Sequence, residues 1–145
     1  MPNTTTQGHA PAAVDPVDPL VHLFIRFLET GKAPEGLFAE DVFVDFTMPL
    51  WRRQARGRAG LEQLRRAGHP DPGSVPRWRA DPTARGFVIE FEESWLSGGQ
   101  QWISREMARA DVADGAIAEL SVYCTGDWDE ALQQRHAAAE RLIRS

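Results

Sequence analysis

The sequence predicts an α+β fold, with helices packed on one face of a curved antiparallel sheet. Two observations carry this. Apolar residues recur at helical spacing early in the chain and again at its end. Between them run segments rich in β-branched and aromatic residues, several alternating apolar with polar and separated by tight-turn dipeptides. With 145 residues and no internal repeat, the chain is long enough for one domain with a real core and short for two. Residues 1–16 read as a flexible tail and 17–145 as the single domain.

The first helix opens at Asp18-Pro19, a capping residue followed by Pro at the first helical position. Val17, Leu20, Val21, Phe24, Phe27 and Leu28 give it one wide apolar face, and Gly31 ends it. A short helical turn follows "APEG". The next segment, "DVFVDFTMP", is β-branched and aromatic and stops at Pro49. "WRRQARGR" offers four arginines to a phosphate or an acidic ligand, and otherwise reads as a solvated loop leading into a second helix over about 57–67, with Leu61 and Leu64 facing inward. "GHPDPGS" is a loop, since two prolines and two glycines forbid regular structure. Strands are then expected before 87, over 87–96, over 101–112 and over 116–125. Asp127 with Glu130 three residues on caps a C-terminal helix whose stripe is Ala131, Leu132, Ala139, Leu142 and Ile143.

The two tight turns fix a register. With Gly98-Gly99 as a two-residue turn, Trp95 faces Trp102, Glu93 faces Ser104, Phe91 faces Glu106 and Ile89 faces Ala108. On the other side Glu92 faces Arg105, an opposite-charge pair. Asp114-Gly115 as the next turn sets Glu106 opposite Tyr123 and Ser104 opposite Thr125. One sheet face then gathers Phe91, Trp95 and Trp102 with Glu93, Glu106, Ser104 and Tyr123, aromatic walls with a few placed polar groups. Strand 116–125 conflicts with this, because its apolar stripe Ala118, Leu120, Val122 and Cys124 lies on the opposite face. Either a dimer covers that face or a bulge switches the alternation. The dimer is the expectation adopted.

Composition excludes several classes. A net charge of −5 argues against general nucleic-acid binding. No apolar run reaches the ~18 residues of a membrane helix, and the first residues lack the pattern of a secretion signal, so a cytoplasmic protein is expected. Fifteen Arg stand against the single Lys32, so Arg is the default cation and its abundance says little about recognition. Cys124, the lone cysteine, allows no internal disulfide and no Cys-rich zinc site. No spacing links two of the four histidines as metal ligands, so neither metal nor cofactor is expected. His69 sits in a loop that could form the pocket rim, although a loop histidine is usually exposed.

"LFAEDVFVDFTMP", "RGRAGLEQL" and "DGAIAELSVYCTGDWDEA" together resemble the nuclear transport factor 2-like superfamily, in particular its SnoaL-like branch of polyketide cyclase relatives. The resemblance spans about residues 17–142. It implies a cone-shaped curved antiparallel sheet wrapped around N-terminal helices, with an internal pocket and dimers formed through the sheet. It also implies either cofactor-free cyclases, isomerases and dehydratases of specialised metabolism, or binding and scaffold proteins. Relatives often carry an acidic residue where Asp45 stands. The Asp–Arg–Asp pattern of the superfamily's epoxide hydrolases is not traceable here.

The chemistry expected is acid–base catalysis on a small, largely apolar organic molecule. Apolar walls raise the pKa of Glu93, the acid or base, while Tyr123 or a protonated Glu106 donates to a developing enolate. Asp45 is a further acid–base candidate. Trp95, Trp102, Phe91, Ser104, Trp51 and Arg52 are the candidate substrate contacts. A structural role competes, in which Glu93 bonds Ser104, Arg52 or Arg53 and only satisfies a polar interior. The alternatives at the level of the whole protein are a non-catalytic binding protein and a dimeric interaction module.

Overall fold

In the computed structural model the described residues are 18–145, so the tail over 1–16 and Val17 lie outside them. The elements are α1 (Asp18–Thr30), β1 (Phe38–Met48), β2 (Trp51–Arg56), α2 (Arg58–Gly68), β3 (Gly73–Pro82), β4 (Gly86–Ser97), β5 (Gln100–Ala113), β6 (Ala116–Cys124) and α3 (Glu130–Ala139). The strands form one sheet in the order β2-β1-β6-β5-β4-β3. It is antiparallel except where β1 lies parallel to β6.

The expected face of α1 is the buried one: Leu20, Val21, Phe24, Phe27 and Leu28 pack into the core. There Phe24 meets Phe87 and Phe91 edge-on, a favoured aromatic geometry. Gly31 ends the helix with φ 73, its N–H donating to the Phe27 carbonyl at 2.8 Å. In α2, Leu61 is buried and Leu64 half-buried, as expected.

The β4–β5 hairpin has the register read from its turn, residue for residue, including Trp95 with Trp102, Glu93 with Ser104 and Phe91 with Glu106. Gly98 and Gly99 both have positive φ, which the tight turn demands and Gly supplies without strain.

Four expectations are corrected. "WRRQAR" is strand β2, paired antiparallel with β1 through a turn at Pro49-Leu50. Its three arginines had masked a short edge strand. Second, a bulge shifts the β5–β6 register by one residue between Asp111 and Val112, so Glu106 faces Cys124 and Met107 faces Tyr123. The extra residue turns Leu120 and Val122 into the core and Tyr123 out, to 60% exposure. Thr125 accordingly bonds the Arg105 carbonyl, not Ser104. The apolar stripe assigned to a dimer face is therefore an interior face. Third, the cap of α3 is Asp129, whose carboxylate accepts from the Leu132 N–H at 2.8 Å. Fourth, α3 ends at Ala139, which leaves Leu142 and Ile143 exposed. Among the described residues no helix is long and apolar enough to cross a membrane.

Candidate functional site

Between α1, α2 and the concave sheet face lies a cavity of about 360 Å³, within the usual size range of small-molecule sites. Its walls are mostly apolar, among them Phe24, Phe27, Val44, Phe46, Leu120 and Val122. The polar groups that line it are Glu106, His69, Arg65, Asp127 and Arg53.

Helical periodicity places Arg65 in this lining. Leu61 and Leu64 set the inward face of α2, and Arg65, four residues after Leu61, falls on the same face. There its guanidinium donates to Glu93 Oε1 at 2.6 Å and to the Leu28 carbonyl at the end of α1. His69 is the C-cap residue of α2, one further turn along. It contacts Arg65, and its Nε2 lies 3.3 Å from Glu93 Oε2. Its ring stacks on Trp95 with centroids 4.2 Å apart, and Trp95 stacks in turn on Trp102. Glu106 accepts a hydrogen bond from Ser104 Oγ at 2.8 Å.

Burial governs the protonation of this cluster. It pushes Glu106 up to about 8, with the charge of Glu93 as the second cause. Glu93 is also raised by burial, partly offset by Arg65. Of the two carboxyls only Glu93 has a guanidinium at 2.6 Å, so Glu93 loses its proton first and Glu106 keeps the remaining one. His69 is pushed down to about 4, first by burial and then by Arg65, and is neutral at pH 7. Burial also raises Asp127, and it drives the Cys124 thiol up to about 12, which leaves it unreactive.

Donor atoms of His69, Glu93 and Glu106 lie within 4.8 Å of one another, a spacing that a metal ion could bridge. Arg65 already places a positive charge against that group.

The structure brings together five of the ten candidates from the sequence: Glu93, Glu106, Ser104, Trp95 and Trp102. Of these only Glu106 lines the cavity, while Trp95 and Trp102 stack behind His69. Phe91 is core, fully buried beneath Phe24. Asp45 and Arg52 form an ion pair on the outer sheet face, since β1 points Val44 and Phe46 inward and Asp45 between them outward. Tyr123 is on that outer face through the bulge, and Trp51 is 63% exposed at the edge. Arg65, His69 and Asp127 were missed. The helical stripe Leu61–Leu64–Arg65 was the available signal for the first. Of the other two, the sequence offered His69 only as a loop residue for the pocket rim, and it gave Asp127 a capping role instead of a place in the cavity.

An 18%-identical nuclear transport factor 2-like protein from Anabaena variabilis superposes with a TM-score of 0.65, covering 83% of this chain and 97% of that one. The chain has the nuclear transport factor 2-like fold. A candidate polyketide cyclase from Xanthomonas campestris shares this fold at 18% identity and TM-score 0.58, with 86% and 97% of the two chains covered. So does a candidate ketosteroid isomerase from Kribbella flavida, at 19% identity and TM-score 0.55, covering 89% and 91%. No protein-family model and no curated protein matches the chain. Within the nuclear transport factor 2-like fold, Glu106 and Arg65 of the buried Arg65–Glu93–Glu106 cluster line the apolar cavity.

Proposed function

We propose that the protein is a cofactor-independent acid–base enzyme acting on a small, largely apolar organic molecule by isomerisation, cyclisation or dehydration. The observation that carries the reading is Glu106: a buried carboxyl facing an apolar cavity and holding its proton to about pH 8. A protonated carboxyl there can donate to a carbonyl oxygen as negative charge develops on it. Glu93 is tied to Arg65 and does not line the cavity, so the base is Asp127, which does. Neutral His69, stacked on Trp95, adds a flat uncharged ring to the cavity lining. A setting in specialised-metabolite biosynthesis agrees with the names of the similar structures from Xanthomonas and Kribbella.

The test is incubation of the pure protein with small-molecule extract of its source organism in D₂O, read by liquid chromatography–mass spectrometry. Wild type should change the retention time or deuterium content of at least one compound. Glu106→Gln and Asp127→Asn should each slow that change by about 10²–10⁴-fold. A compound retained by wild type and Glu106→Gln alike, with no product from either, would replace catalysis with binding. A dimer through the sheet would have to use the outer face around Met107 and Tyr123, which are exposed and opposed. Light scattering of Tyr123→Glu against wild type decides that point.

A further inference from the structure

Two neighbouring arginines on β2 have opposite surroundings. Arg52 points to the outer face and is bound by Asp45, its Nε 2.8 Å from Oδ1. Arg53, opposite Phe46 on the inward side, lines the cavity. It has no carboxylate partner among the described residues. The other guanidinium on the cavity, Arg65, is committed to Glu93 and the Leu28 carbonyl. Of the guanidiniums that line the cavity among the described residues, Arg53 therefore remains to meet an anion from a bound ligand.

We propose that Arg53 is an anion-binding residue of the cavity, and that the ligand is a compact apolar molecule carrying a carboxylate. This deepens the acid–base reading and rests on it for the position of the reacting end. A guanidinium at the edge of an apolar space favours a carboxylate, which it grips with two parallel hydrogen bonds. The geometry also spaces the two ends. Arg53 is on β2 and Glu106 on β5, three strands apart in the order β2-β1-β6-β5. At about 4.8 Å per strand this is roughly 14 Å along the sheet, shortened across the concave face by sheet curvature and side-chain reach. The floor between them is Phe46, Val122 and Cys124, with no charge. A ring system spans it with its carboxylate at Arg53 and its reacting carbonyl at Glu106.

Titration calorimetry with 2-naphthaleneacetate and its uncharged amide tests this directly. Wild type should bind the acetate at least tenfold more tightly than the amide, and added salt should narrow the gap. Arg53→Gln should lose that preference while keeping its affinity for the amide, and Glu106→Gln should retain it. Equal affinities for the two probes in wild type, or no binding of the acetate, would overturn the proposal. So would an undiminished preference in Arg53→Gln. Failure here with conversion of an extract compound intact sinks only the carboxylate assignment. A charge preference without any conversion sinks the acid–base reading instead.

Discussion

Two carboxylate–guanidinium pairs, one on each face of the sheet, behave oppositely. On the outer face Arg52 holds the Asp45 carboxyl below its ordinary range, as an ion pair in water should. On the inner face Arg65 sits as close to Glu93, yet burial raises the carboxyl. The side chains there are 12% and 4% exposed, against 62% and 18% outside. The same chemistry thus gives a quiet surface contact on one side and a proton-holding cluster on the other. What differs is access to water, and with it the cost of charge.

Breaking each pair exposes the difference most plainly. Arg65→Met leaves a buried carboxylate without its partner and should lower stability by about 3–5 kcal/mol in urea unfolding. Arg52→Met should leave the urea midpoint within error of wild type, because solvent screens the outer pair.

A smaller effect comes from Glu106 through pH. Its ordinary pKa of 4.5 rises to about 8 in the folded chain. Within that window the unfolded chain has lost the proton while the folded chain retains it, so rising pH favours unfolding. His69, lowered from 6.5 to about 4, acts in the opposite sense below pH 6.5. The Glu106 contribution is therefore cleanest above 6.5, where it amounts to about 2 kcal/mol lost by pH 8. Thermal unfolding of Glu106→Gln should show a flatter profile there. Conversion by wild type should likewise fall as pH rises through about 8.

The smallest effect belongs to the outer face. Tyr123→Phe and Asp45→Asn should leave conversion unchanged, since both residues lie across the sheet from the cavity. A tenfold loss in either would mean that the outer face takes part in the chemistry.

How far the sequence could be read follows from the range of each signal. Tight turns act locally, so Gly98-Gly99 yielded the β4–β5 pairing and put Glu93 and Glu106 on the inner face. A bulge leaves only a faint local mark: the reversed apolar stripe of β6 was visible, but it reads equally well as a dimer surface. That ambiguity misplaced Tyr123 and hid Cys124 from the cavity. Strand β2 was lost because its polar residues reflect an exposed edge. The contact of Arg65 with Glu93 joins residues 28 apart in sequence, and only the packing of α2 against the sheet reveals it.

The central claim is that Glu106 enters neutral pH with its proton. Carbon-13 NMR of the glutamate side-chain carboxyls, followed from pH 3 to 10, measures this directly. The account predicts one resonance with a midpoint about 8 that vanishes in Glu106→Gln. If the resonance lost in that variant titrates in the ordinary carboxylate range instead, Glu106 is an anion at neutral pH and the proton-donor account is wrong.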